Sequence, residues 1–132
     1  MSPSPPAQAG LVIVDHGTRG ETANRPLIKL AESLAVERPD WLIAHAHMEL
    51  AEPDFPSAID ALVERGAKEI LVHLHFLGEG YHVRKTLPAL IAEARSRHPE
   101  ILIRVTDPLG RDPRITEIVL SRMDQMGDSS TQ

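Results

Sequence analysis

Three histidines fall within ten positions near the middle of the chain, at residues 73, 75 and 82. His73 and His75 end an apolar run and are two positions apart, so in a β-strand they share a face. Gly78 and Gly80 interrupt the run before His82, and glycine lets a backbone approach a bulky ligand or turn through positive φ. Imidazole is a common ligand of cobalt, nickel, iron and zinc. The cluster indicates a metal site, although a single histidine is more often a hydrogen-bonded structural residue.

These residues are positioned by a repeated β-α pattern. Short apolar runs alternate with segments whose apolar residues recur at helical spacing. The spacing also predicts that the last helix turns Ile115, Ile118, Val119, Met123 and Met126 towards the core. Crossovers of this length require parallel strands with right-handed connections. We predict a four-stranded parallel α/β sheet, with strands at 11–14, 41–50, 69–77 and 101–105 and helices at about 21–38, 54–65, 83–98 and 113–126.

The carboxyl ends of parallel strands lie along one edge of the sheet, where such folds bind their ligands. That edge gathers His16, Glu49, His82 and the loop at 108–110, which come from four separate parts of the sequence. The convergence is the strongest physical argument for a site. For His16 and His82 to meet, the first and third strands must be neighbours, as in a 2-1-3-4 order.

The composition of the chain argues against several classes of binding partner and metal site. A chain of 132 residues most simply forms one domain. Its net charge of −5 suggests neither nucleic acid nor an anionic membrane, and the lack of cysteine excludes disulfides and thiolate metal sites. No apolar run approaches the roughly 18 residues of a membrane span. Residues 1–10 lack the features of a secretion signal, so we expect a disordered lead-in there, a disordered tail at 127–132 and a cytoplasmic protein.

Four motifs, in order and at matching spacing from about residue 11 to 123, resemble one family. His16-Gly17-Thr18-Arg19 resembles its HGSR motif, and residues 49–53 resemble its E-x-A-x-P segment. Residues 76–88 resemble F-L-x-x-G-x-H-V-x-x-D-[IL]-P, and residues 107–113 resemble the P-L-G-x-D-P segment with the residue before it. The family is that of the small sirohydrochlorin cobaltochelatases and ferrochelatases, which are short, single-domain class II chelatases.

The resemblance implies a flavodoxin-like, chelatase-type three-layer sandwich over residues 11–126. It implies insertion of a divalent metal, cobalt first and otherwise ferrous iron or nickel, into sirohydrochlorin without a nucleotide, in cobalamin or sirohaem biosynthesis. His16 and His82 would handle the metal; His16 would also accept a macrocycle proton, while Glu49 offsets metal charge or relays a proton. The positions expected to contact the carboxylate-rimmed substrate are Arg19, Leu77, Gly78, Glu79, Gly80, Tyr81 and Arg84.

Longer relatives carry two such domains with the tetrapyrrole between them, so the resemblance implies a homodimer for this chain. Several residues depart from the family pattern. Asp15 stands where glycine is usual, and Lys85-Thr86 replaces an acidic pair. Histidines at 47, 73 and 75 replace apolar residues, and together with His45 they could mark a second metal site or be satisfied core residues.

These departures leave two other functions open. One is a metal- or tetrapyrrole-binding protein that kept the fold and lost turnover, and the loss of the acidic pair favours it. The other is a phosphate-handling enzyme, since a strand, a glycine-containing loop and a helix can hold an anion. The Asp15 carboxylate argues against the second, because it would repel phosphate.

Overall fold

The computed structural model describes residues 8–78 and 80–127, with the backbone alone at residue 82. Four parallel strands form one sheet in the order β2-β1-β3-β4, so the first and third strands are neighbours as the site requires. The predicted α/β class and strand order are confirmed. The strands are β1 (Ala9–Asp15), β2 (Leu42–His47), β3 (Glu69–Leu74) and β4 (Leu102–Val105).

Helices on both faces make the fold a three-layer sandwich. On one face Ile13 packs with Leu27 and Ala31 of α1. On the other face Val12, Val14 and their neighbours in the sheet pack with apolar residues of α2 and α3. The central strand is therefore buried on both sides, as its β-branched sequence predicts. The helices are α1 (Glu21–Glu37), α2 (Phe55–Glu64), α3 (Tyr81–Arg97) and α4 (Arg114–Met126), with a short 3-10 turn at Leu109–Arg111.

Local signals in the sequence set the ends of α2. The Asp54 carboxylate accepts a hydrogen bond from the backbone N–H of Ser57 at 2.9 Å, and Pro56 lies in the first turn. Gly66 follows the helix with φ +106°, a conformation that glycine adopts without strain. The predicted cap, first-turn proline and terminating glycine of this helix are confirmed.

Several predicted boundaries are wrong by a few residues. β1 begins at Ala9, because Ala9 and Gly10 pair with the start of β3, so these two residues do not belong to a disordered lead-in. Residues 1–7 and 128–132 lie outside the described residues. β2 and β3 stop at residues 47 and 74, three short of prediction, and Leu50 turns through φ +68° just beyond β2. α3 begins at Tyr81, two residues earlier than its apolar spacing indicated.

The predicted helix at the end of the chain is confirmed, but the prediction that its apolar side chains face the core is wrong. α4 begins at Arg114, whose backbone N–H donates to the Asp112 carboxylate at 2.9 Å. Hydrogen bonds from Arg114 lower the pKa of Asp112 to about 2. None of the helix's residues is buried, and the apolar side chains expected to face the core are mostly half or more exposed. Exposed fractions are Ile118 50%, Val119 51%, Met123 62% and Met126 83%.

At the opposite edge of the sheet from the candidate site, Asp60 of α2 joins the end of α3. Its carboxylate contacts Arg97 Nη2 at 2.6 Å and His98 Nε2 at 2.8 Å. The hydrogen bond with His98, and then Arg97, lowers the pKa of Asp60 below its ordinary 3.8. The ionised form therefore stabilises the fold at neutral pH. This contribution is lost as the pH falls from about 3.8 through the lower folded value.

We predict that Asp60→Asn lowers the free energy of unfolding at pH 7 by about 1 kcal/mol or less, since the pair is partly exposed. The difference from the unsubstituted chain should vanish below the folded-state pKa. Urea unfolding at a series of pH values measures it. Glu64→Gln, an exposed carboxylate on the same helix, is the control, and an equal loss in both variants at pH 7 would contradict the assignment.

Candidate active site

The pairing of β1 with β2 continues beyond the ends of both strands. The N–H of Met48 donates to the carbonyl of Asp15 at 2.8 Å, and the N–H of Glu49 donates to the carbonyl of His16 at 3.1 Å. These two bonds set His16 and Glu49 side by side. His16 Nε2 and Glu49 Oε2 are 3.9 Å apart, with 47% and 36% of the side chains exposed. An imidazole and a carboxylate are thus both within reach of a metal ion arriving from solvent.

Gly17 permits this close approach. Its φ is +89°, and a Cβ at this position would overlap the carbonyl oxygen of Glu49. Any L-residue would be strained here and would push the two segments apart. The close packing against Glu49 therefore explains why glycine follows His16, which the spacing of the motif alone did not reveal.

Behind the loop, Asp15 and His47 form a hydrogen-bonded pair. Asp15 Oδ1 and His47 Nδ1 are 2.6 Å apart, and His47 is only 1% exposed. Each residue departs from the family pattern, and the strand register explains both at once, because Asp15 and His47 are direct cross-strand neighbours. His47 is a satisfied core histidine. Sequence reasoning noted both residues and missed their contact.

Asn24 holds the loop that carries Arg19. Its side-chain oxygen accepts from the N–H of Thr18 at 3.0 Å, and its Nδ2 donates to the Thr18 carbonyl at 2.8 Å. Asn24 is buried on the same stripe of α1 as Leu27 and Ala31. The position of this polar residue among apolar ones was the sequence signal that could have identified Asn24 as a residue that holds the loop. Arg19 itself is exposed, at the same sheet edge as His16.

The loop between β3 and α3 is open around its described glycines. Neither Gly78 nor Gly80 has positive φ, and no atom of the described residues lies within 4 Å of where a Cβ would stand. The interpretation that these glycines make a turn through positive φ is wrong, whereas room for a bulky ligand agrees with the geometry. Leu77 is 76% exposed and Tyr81 71%, and Arg84 is also exposed.

Two of the predicted site positions fall outside the described residues: Glu79, expected to contact the substrate, and the side chain of His82, expected to handle the metal. The backbone of residue 82 is in the first turn of α3, after the strand next to β1. Among described residues, no three or more His, Cys, Asp or Glu side chains are placed to hold one ion. The meeting of His16 with His82 stays a prediction.

The loop after β4 closes against the loop after β3. The N–H of Gly110 donates to the carbonyl of Phe76 at 2.9 Å, and a Cβ on Gly110 would overlap the Leu77 carbonyl. Beside these loops lies an open groove of about 480 Å³. Apolar side chains form much of its wall and two arginines stand near the site edge; its lining includes Leu74, Val83, Leu87, Val105, Arg84 and Arg111.

Comparison with known proteins identifies the family. The CbiX family model matches residues 10–126, nearly the whole chain. The chain belongs to the CbiX family. A CbiX protein from Marinobacter aquaeolei VT8 has the same fold, with a TM-score of 0.77 and 27% identity, over 89% of this chain and 96% of that one.

Other CbiX-family relatives differ in length. The chain is 29% identical to the sirohydrochlorin cobaltochelatase of Methanocaldococcus jannaschii, over 85% of this chain and 95% of that protein. It is 33% identical to the chloroplastic sirohydrochlorin ferrochelatase of Arabidopsis thaliana, over 86% of this chain but 51% of that protein. SirB from Bacillus subtilis with Fe3+ gives a TM-score of 0.80 and 26% identity, over 91% of this chain and 48% of that one. The chain thus spans about half of the longer relatives.

No helix in the described part of this CbiX-family chain is long and apolar enough to cross a membrane. Its location in the cell stays a prediction.

We predict that Gly17→Ala lowers the free energy of unfolding by about 1–3 kcal/mol, because it strains the backbone and separates His16 from Glu49. Affinity for Co²⁺ should fall with it. Gly78→Ala is the matched control, since its Cβ would meet open space, and its stability should change by less than about 0.5 kcal/mol. Chemical denaturation and cobalt titration measure both; equal effects of the two substitutions would contradict the account.

Proposed function

We propose that this chain inserts a divalent metal ion into sirohydrochlorin, with cobalt as the first candidate and ferrous iron or nickel as the others. The observation that carries the proposal is the imidazole of His16 held 3.9 Å from the Glu49 carboxylate at the carboxyl edge of the sheet. Family membership supports the substrate, because relatives over most of this length are named sirohydrochlorin cobaltochelatases. SirB structures containing cobalt and Fe3+ support the metal class.

The two side chains suit the chemistry of insertion. The metal exchanges bound water for macrocycle nitrogens, and the macrocycle releases two N–H protons as its nitrogens bind the metal. Neutral imidazole of His16 accepts a proton or ligates the ion, and the Glu49 carboxylate offsets the charge of the ion. Both side chains are partly exposed, so the protons can pass on to water. The proposal includes no nucleotide, as the resemblance to this family implies.

Arginines near this edge fit a substrate rimmed with carboxylates. Arg84 and Arg111 line the groove beside α3, and Arg19 is exposed after β1. Guanidinium groups bind carboxylates through paired N–H donors. The groove's 480 Å³ lies within the roughly 300–1,000 Å³ of typical ligand sites. Because it is open, it forms only one wall for a large flat macrocycle.

The second wall is proposed to come from a second copy of the chain. α4 exposes an apolar stripe that includes Val119 and Met123, and an isolated chain leaves this stripe in water. A two-fold dimer that buries the stripe, within the roughly 1,200–2,000 Å² of a standard interface, also explains how a half-length chain forms a two-sided cleft.

One observation favours the non-catalytic alternative. Lys85 replaces an acidic residue of the family pattern, and its Nζ lies 5.7 Å from the centre of the Tyr81 ring in the first turn of α3. A cation here would repel an incoming metal ion. If this effect dominates, the chain binds metal or tetrapyrrole without turnover.

An anaerobic insertion assay separates the two functions. We predict that the unsubstituted chain accelerates the absorbance change of sirohydrochlorin with Co²⁺, and that His16→Ala or His82→Ala abolishes this acceleration. Glu49→Gln should slow it by about 10²-fold or more, as loss of an acid–base group does. His45→Ala controls for removal of an imidazole. Substrate binding without acceleration by the unsubstituted chain would support the non-catalytic alternative.

Insertion should also weaken on acidification, because protonated imidazole neither ligates a metal nor accepts a proton. A rate that is level or rises as the pH falls from 8 to about 5.5 would contradict a role for His16 as ligand or base. Circular dichroism at each pH shows that the fold is retained.

The dimer has its own test. Light scattering should give twice the monomer mass of 14.5 kDa for the unsubstituted chain. Val119→Glu with Met123→Glu should yield monomers, because charges cannot be buried unpaired in an apolar contact. Ser121→Glu, which adds charge to the opposite side of α4, should remain dimeric. A fully active unsubstituted monomer would refute the two-sided cleft.

A further inference from the structure

His73 and His75 form a close pair that the proposed insertion site does not use. Both lie on one face of β3 and its extension, and both are half-buried. His73 Nε2 and His75 Nδ1 are 3.1 Å apart, and the rings are inclined at 51° with centres 5.3 Å apart. One nitrogen from each ring therefore faces the other.

This spacing suits a shared metal ion as well as a hydrogen bond. Two nitrogens bound to one ion at about 2.0–2.1 Å, with an angle between the octahedral and tetrahedral values, lie roughly 2.8–3.4 Å apart. The observed 3.1 Å falls within that range. Modest ring rotations would direct both lone pairs to a common point, and each ring would then keep its proton on its other nitrogen.

The other two histidines on this sheet face are arranged differently. His47 is buried and hydrogen-bonded to Asp15, so its Nδ1 is engaged. His45 contacts His47 edge to face and is separated from His73 by Ile13 of the strand between them. The four histidines thus form two separate pairs. His45 and His47 are in contact on β2, and His73 and His75 are in contact on β3 and its extension.

The sheet around the β3 pair is accessible. α1 covers the β1–β2 side of this face, and none of α4 is buried against it. On the adjoining β4, Leu102 is 46% exposed and Arg104 is exposed as well. An ion with bound water therefore has a path to the two imidazoles.

The protonation state also suits ligation. Burial lowers the pKa of His73, and the neighbouring His75 lowers it further, so the His73 imidazole is neutral at pH 7. A neutral ring offers a lone pair to a cation at no cost in deprotonation.

We propose that His73 and His75 form a second metal site, which binds one divalent transition-metal ion such as Co²⁺ or Ni²⁺ through two imidazoles and water. Among the described residues, no third His, Cys, Asp or Glu side chain is placed to join these two, so the proposed ion is held weakly and exchanges. The proposal includes a role for this ion as a supply of metal for the insertion site at the carboxyl edge of the sheet. That role rests on the proposed function, whereas the binding of the ion to His73 and His75 does not.

Calorimetric titration with Co²⁺ or Ni²⁺ alone tests the site in the full chain. A His16→Ala, Glu49→Gln, His82→Ala background removes the edge ligands, and we expect one weak equivalent to remain. Adding His73→Gln or His75→Gln should abolish it, while adding His45→Gln should leave it unchanged. Thermal melts establish that each variant folds.

Nuclear magnetic resonance of the same His16→Ala, Glu49→Gln, His82→Ala background gives a second readout. With the edge ligands removed, Co²⁺ should shift or broaden the imidazole signals of His73 and His75 strongly and those of His45 weakly. Retention of the weak equivalent in both β3 variants, its absence from the background, or unperturbed His73 and His75 signals would each overturn the site. If the metal-binding results are as expected but the chain does not accelerate metal insertion into sirohydrochlorin, only the proposed function is refuted.

Discussion

Two backbone hydrogen bonds past the ends of β1 and β2 are the constraint on which the candidate site depends. They carry strand pairing as far as residues 16 and 49, so that a loop histidine and a loop carboxylate are held by the sheet itself. Gly17 is required because the Glu49 carbonyl occupies the space of a side chain. The buried His47, hydrogen-bonded to the partly exposed Asp15, ends these two strands with satisfied polar groups. A candidate site held in this way by the sheet would lose little conformational entropy if a metal ion bound there.

The second constraint is that a single chain leaves part of its apolar surface uncovered. α1 packs on one face of the sheet, whereas none of the residues of α4 is buried and its apolar stripe is exposed. Relatives about twice as long, such as SirB, match this chain over half their length. In the proposed function, a second copy of the chain supplies the second wall of the cleft. A single dimer contact could cover the exposed apolar stripe of α4 and also place a second wall opposite the open groove beside α3.

Much of the architecture follows from the sequence. Apolar runs bounded by glycine, proline and aspartate predicted each strand and helix, because burial and capping are local properties of the chain. The orientation of α4 was not predictable in this way. Its spacing shows that one side is apolar, but periodicity cannot say which surface covers that side. The contact of Asp15 with His47 joins two strands and could not be predicted without their register. The contact of Asn24 with Thr18 depends on which side of α1 faces the sheet, and the sequence does not settle that for a polar residue.

The central claim is that the carboxyl edge of this sheet holds the incoming metal. Anomalous scattering at the cobalt edge, from crystals of the unsubstituted chain soaked in Co²⁺, tests it most directly. The account predicts a peak about 2 Å from an imidazole nitrogen of His16, with His82 and Glu49 completing the protein ligands. Cobalt bound at full occupancy elsewhere, with none at this edge, would contradict it.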